Sequence, residues 1–249
     1  MTINEFLFYL VILLSNIIQG ITGFAGTILA MPISIKLVGM GTAVPVLNLL
    51  GLLSGIYVFC GNYKKVDLKV LRSVVLVMSV CVIAGLFLKS ALSGSPRLLY
   101  IILGVIVISI SVRGLFSQLI EKKTESSDAS LQQSKFLPLL LVAAGIVHGM
   151  YVCGGPLLIS YMTKKLPEKS AFRATISTVW IFLNGIIFIS HIITGAWTPE
   201  VIKSGVISIP FLLGGMCLGG ILYKKMSQQF FIKLTYILLF IAGLSLFFK

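Results

Sequence analysis

Apolar stretches of membrane-spanning length recur along the chain, at 3–33, 40–61, 73–93, 98–116, 136–162, 174–197, 204–223 and 230–248. A helix that crosses a bilayer needs about 17–25 such residues, because the hydrocarbon layer is about 30 Å thick and a helix rises about 1.5 Å per residue. Eight elements of this kind in 249 residues leave too little polar sequence to coat a water-soluble domain. The composition agrees: 57% of residues are hydrophobic and 11% charged, whereas a soluble domain is about one quarter charged.

Charge placement narrows the function. The seven acidic residues, Glu5, Asp67, Glu121, Glu125, Asp128, Glu168 and Glu200, are all read at segment ends or in loops. A cation substrate or a carboxylate proton relay deep in the membrane is therefore disfavoured. The net charge of +13 does not point to nucleic acid, because the basic residues stand in short runs between apolar stretches, where juxtamembrane lysines and arginines belong. Cys60, Cys81, Cys153 and Cys217 have no paired spacing for zinc or for a secreted disulfide framework, so neither metal nor cofactor is expected. The first apolar run, from Phe6 onward, follows no Lys or Arg and lacks an A-x-A site, so it is expected to stay in the mature protein.

The longest polar interval, 117–135, contains EKKTESSDASLQQSK and reads as a solvated cytoplasmic linker between membrane repeats at 1–116 and 136–249. The halves resemble each other weakly. With Gly23 set on Gly149, QGITGFAG at 19–26 falls opposite GIVHGMYV, followed by CGGP. Further on, SGIYVF at 54–59 falls opposite NGIIFI at 184–189, and AGLFLK at 84–89 opposite GGILYK at 219–224. Chance likeness among glycine-rich apolar helices is the competing explanation. Internal duplication is common in secondary transporters, whose sites lie where the repeats meet.

Short cytoplasmic loops are enriched in Lys and Arg. If all eight elements span, the two sides receive ten basic residues each, which gives no orientation. If the fifth element enters and leaves on one side, the split becomes fifteen against five. Gly149, Gly154, Gly155 and Pro156 are the residues a chain needs to leave helical geometry there. The first element, with Gly20, Gly23, Gly26 and Pro32, is expected to break in the same way. The expected fold is an all-α polytopic membrane protein of two weakly similar four-element repeats, inverted, with a broken or re-entrant first element in each half. Eight plain helices are the alternative.

Half-helix N-termini inside a membrane point free amides and a partial positive charge into the gap, which suits an anion. The side chains near the expected breaks are donors or neutral groups: Gln19, Thr22 and Thr27 in the first half, His148 and Tyr151 in the second. Gly23, Gly26, Gly149, Gly154 and Gly155 supply the interrupted backbone, while Asn48, Ser54, Thr175, Ser177 and Asn184 could complete a pocket. His148 either binds substrate or is a neutral histidine bonded to a neighbouring helix. His191, near a helix end, reads as interfacial. Cys153 could hold or transfer sulfur, although an apolar setting leaves most such thiols inert. Gly51, Gly55, Gly215 and Gly219 fit small-xxx-small spacing and read as helix-packing positions. Arg173 fits either an anion contact at the cytoplasmic mouth or positive-inside anchoring.

GITGFAGTILAMP at 20–32, GIVHGMYVCGGPLLISY at 145–161 and AFRATISTVWIFLNGIIFISHIITG at 171–195 together resemble the sulfite exporter TauE/SafE family of membrane permeases, in outline over nearly the whole chain. Thr27, Ile28 and Leu29 stand where the family pattern usually continues with glycines. The resemblance implies a multi-pass permease in a prokaryotic plasma membrane. Its substrate would be a small sulfur-containing anion such as sulfite or an organosulfonate, and its partners would be that substrate and the bilayer. Homo-oligomerisation stays open. The competing function is a membrane-embedded sulfur relay or enzyme using Cys153 and His148; another is a structural or assembly subunit.

Overall fold

A computed structural model describes residues 2–91, 137–151 and 154–245, with helical positions among 101–116. Every described element is helical: α1 (Ile3–Thr22), α2 (Ala25–Val38), α3 (Met40–Asn62), a 3-10 turn (Tyr63–Lys65), α4 (Leu68–Ala91), α5 (Leu137–Tyr151), α6 (Gly155–Lys165), α7 (Lys169–Ile193), α8 (Pro199–Lys225) and α9 (Gln228–Ser245). Among the described residues, five helices are long and apolar enough to cross a membrane: Ile3–Thr22, Met40–Lys65, Leu68–Leu88, Lys169–Ile193 and Pro199–Lys225. The protein is an all-α polytopic membrane protein. The expected linker at 117–135 lies outside the described residues.

The four described carboxylates all stand at helix starts, where the unsatisfied first amides and the positive end of the helix dipole favour them. Thr2 and Glu5 form a reciprocal capping box on α1. Asp67 accepts from the Val70 amide at 2.9 Å to open α4, and Glu168 accepts from Ser170 and Ala171 to open α7. Glu200 lies in the first turn of α8, behind the Thr198 cap. The expectation that these carboxylates avoid the apolar interior holds; Glu121, Glu125 and Asp128 lie outside the described residues.

Both long glycine-rich elements are broken in two. The first stops at Gly23, whose φ of 83° is left-handed, a conformation only glycine adopts without strain. The chain then reverses, so that α2 starts back along α1: a Cβ on Gly26 would stand 2.7 Å from both the Ser15 carbonyl oxygen and the Gln19 Cβ. In the second element, α5 runs to Tyr151 and α6 starts at Gly155. Gly154 there lies against the Ala144 carbonyl and 2.7 Å, by the same measure, from the His148 Cβ.

The match of Gly23 with Gly149 needs correcting. Gly149 is helical, two residues inside the described end of α5 at Tyr151. What Gly149 shares is the role of Gly20, which lets another helix's backbone come close: Gly149 faces the Val82 carbonyl of α4, and Gly20 faces Met216 and Gly219 of α8. Aligning by glycine letters paired a turn with a packing contact.

Two compact units emerge, each drawing on both halves of the sequence. One comprises 1–71 and 173–226, the other 72–172 and 227–249. In the first, α1 packs along α8 through Gly20, Gly215 and Gly219. Its apolar core joins Phe8 and Ile12 of α1, Met31 of α2, Leu47 and Leu50 of α3, and Leu212 and Met216 of α8. Gly55 of α3 lies against the Ser177 carbonyl of α7, so all four small residues read as packing positions make close approaches. In the second unit, α4 and α5 cross at Gly85, Gly145 and Gly149, and Phe172 meets Phe231 edge-on at 5.8 Å. Outward faces stay apolar: α8 exposes Ile202, Val206, Leu213, Leu218 and Ile221, which suits lipid rather than water.

Candidate functional site

In the first unit, the reversal at Gly23 leaves the first amides of α2 without intrahelical partners. Side chains of α1 supply them. Thr22 Oγ1 accepts from the Phe24 and Ala25 amides at 3.4 and 3.2 Å, and Gln19 Oε1 accepts from Gly26 at 2.8 Å. Gln19 is 4% exposed, and its other end, Nε2, donates to Ser54 Oγ at 3.1 Å. Ser54 in turn donates to the Gly51 carbonyl one turn back in α3. A single neutral amide thus bridges the positive end of α2 to α3, with no carboxylate in the chain of bonds.

One face of α7 lines the same break. Residues 173, 177, 181 and 184 recur at helical spacing and meet α1 and α3 in order. Arg173 donates from Nε and Nη2 to the Gly20 carbonyl at 2.9 and 2.6 Å. Ser177 donates to the Gly23 carbonyl at 3.4 Å. A Cβ on Gly55 would meet Ile181, and one on Gly51 would lie 2.7 Å from Asn184 Nδ2. Asn48 donates to Asn184 Oδ1 at 3.3 Å, while its own buried Oδ1 has no hydrogen-bond partner among the described residues. Thr27 stands close by, its Oγ1 3.5 Å from the position of a Gly51 Cβ.

Of the residues expected to form a site, the structure therefore gathers Gln19, Thr22, Gly23, Gly26 and Ser54 at this break, with Asn48 and Asn184 along the same helices. Thr175 is elsewhere: its Oγ1 accepts from the Asp67 amide at 2.9 Å and ties α7 to the start of α4. In the second unit, His148 is buried beside Gly154, Gly155 opens α6, and Gly149 packs on α4. Cys153 lies outside the described residues, as does the Tyr151 side chain. His191 is half-buried near the end of α7.

The sequence leaves Arg173 as either an anion contact at the cytoplasmic mouth or a positive-inside anchor. In the structure it is 5% exposed, with its guanidinium carbon 4.4 Å from the centroid of the Tyr223 ring, within cation–π range. Among the described residues it has no carboxylate partner. An arginine seated on a carbonyl that a helix break leaves open is a tertiary fact, and loop-charge counting carries no signal for it.

The arrangement holds donors, dipoles and one cation around a gap in the backbone, which suits an anion. Among the described residues it offers no nucleophile–base pair, and they contain no cluster of His, Cys, Asp or Glu fit to hold a metal. No curated protein and no solved structure matches the chain. The family model for Sulfite exporter TauE/SafE matches residues 8–246, which takes in both broken elements and every described helix from Phe8 onward. The chain therefore belongs to the Sulfite exporter TauE/SafE family of membrane permeases.

Proposed function

We propose that the chain is a secondary permease for a small sulfur oxyanion or organosulfonate, such as sulfite, in a prokaryotic plasma membrane. The observation that carries this reading is the Gln19 amide at the head of α2. Its neutral oxygen sits on an amide at the positive end of a helix, within a buried shell whose bonds involve no carboxylate. A charged oxygen forms hydrogen bonds about twice as strong as a neutral one, so an oxyanion competes well for Gly26 N–H and frees Gln19 to donate to it through Nε2. Thr22, Gly23, Ser54, Asn48 and Asn184 shape this first-unit site. In the second unit, His148 with Gly154 and Gly155 form the counterpart at the other break, and Cys153 adjoins them in sequence. The two sequence repeats, 1–116 and 136–249, are inverted copies in this reading, and transport exposes the site to each side of the bilayer in turn.

The test is uptake into proteoliposomes of radiolabelled sulfite, thiosulfate, sulfate and a sulfonate, with and without a proton gradient. Saturable flux of one of the sulfur anions supports the reading. Wild-type protein that carries none of them refutes it.

A further inference from the structure

We infer that Arg173 supplies the positive charge against which the transported anion binds, at the α1–α2 break; this rests on the permease reading above. The break leaves the Gly20 carbonyl exposed, because the Phe24 amide that would pair with it in a continuing helix is 3.4 Å from Thr22 Oγ1 instead. Two N–H groups of Arg173 take that carbonyl. Guanidinium carries five N–H donors in a rigid fork and no acceptor. With Gly20 as the hydrogen-bond partner of this side chain among the described residues, three donors remain.

A cation 95% out of solvent, inside a membrane protein and without a carboxylate among the described residues, is costly unless something negative meets it. The Gly20 carbonyl and the Tyr223 ring offset part of that cost with partial charges and also fix the fork in place. A tetrahedral or pyramidal oxyanion supplies the rest, since its paired oxygens match the remaining donors. Position favours the same conclusion. Arg173 bonds Gly20, and Ser177, one turn on, bonds Gly23, so the guanidinium lies beside the reversal whose far side is capped by Gln19. A lysine there would keep the charge and lose the fork.

The experiment compares wild type, Arg173→Gln and Arg173→Lys as full-length chains, monodisperse in detergent. Initial sulfite uptake is read in proteoliposomes and sulfite-induced thermal stabilisation in detergent. Charge-assisted hydrogen bonds are strong enough that Arg173→Gln should raise the sulfite KM about 10- to 100-fold and abolish the stabilisation. The maximal rate per folded protein should fall by no more than about threefold if the bound transition state is affected no more than the bound ground state. Arg173→Lys should fall between the two. Unchanged KM and stabilisation in a monodisperse Arg173→Gln, or a lost maximal rate at unchanged KM, would overturn the inference and leave Arg173 as a clamp on α1. If Arg173→Gln does not fold, the KM of Arg173→Lys decides: a value equal to wild type overturns the inference, and a rise supports it. Failure of the permease reading looks different, since wild type then carries no sulfur anion at all, while the stabilisation assay still reports whether sulfite binds through Arg173.

Discussion

Gly219 and Gly220 are neighbours in α8 with opposite surroundings, and replacing each with alanine tests how α1 and α8 pack. A Cβ on Gly219 would stand 2.9 Å from the Gly20 Cα and closer still to the Ile17 carbonyl oxygen, both of them backbone. Carbon atoms pack best about 3.5–4.0 Å apart, so the helices must separate by about 1 Å, a gap that forfeits a quarter to a half of each contact's dispersion energy. Inserted methyl groups in tight cores cost about 1–3 kcal/mol, and a clash with rigid backbone belongs at the upper end, about 3 kcal/mol. A Cβ on Gly220 meets nothing within 4 Å. That substitution should gain up to about 1 kcal/mol from helix propensity. At about 2–4 °C per kcal/mol for a chain of this size, Gly219→Ala should lower the thermal midpoint in detergent by about 6–12 °C, while Gly220→Ala should hold or raise it. Equal midpoints for the two variants would refute the close backbone approach of α1 and α8.

Four further outcomes follow from the same geometry. Gly23→Ala should cost about 1–2 kcal/mol for its left-handed backbone plus a clash with Ser177 Oγ at 2.6 Å, whereas Gly195→Ala, left-handed but unobstructed, should cost the conformational part alone; matched thermal midpoints check the difference. A double-mutant cycle on Asn48 and Asn184 should give a coupling of about 0.6 kcal/mol, the usual worth of an interhelical hydrogen bond in lipid, and a value near zero would remove that bond from the account. Cys153→Ser should retain most of the wild-type flux in proteoliposomes, while complete loss would favour a thiol relay. Cysteines placed at Lys123 and Lys165 should label from the same side of the membrane if the fifth apolar element is a hairpin, and labelling from opposite sides excludes it.

The sequence made the helices readable because their causes are local. Apolar runs of bilayer length, Thr2 with Glu5, Asp67, Glu168 and Glu200 at helix starts, and glycines where the chain turns all act within a few residues. The break at Gly23 was legible for the same reason. Partners distant in sequence were not. Ser177 on Gly23, Arg173 on Gly20 and Asn184 on Asn48 span 136 to 154 residues, and periodicity carries no record of them. Arg173 was legible only as one of two alternatives, because an arginine four residues into an apolar helix fits an anion contact and a membrane-edge anchor equally when charges are merely counted. Thr175 shows the reverse case, a polar residue on a helix that lines the break, yet with its oxygen committed to the Asp67 amide away from it. Glycine letters also misled the repeat register, since a packing glycine and a turn glycine are the same character until the backbone is seen.

The most direct test of an anion seat at the head of α2 is the concentration dependence of sulfite uptake by wild type and Gln19→Leu in proteoliposomes. Saturable wild-type flux, with KM raised several-fold or more in the variant, is the expected result, because leucine fills the space but cannot donate to the anion. Identical saturation curves for the two proteins, or uptake that never saturates in either, would contradict an anion held between α1 and α2.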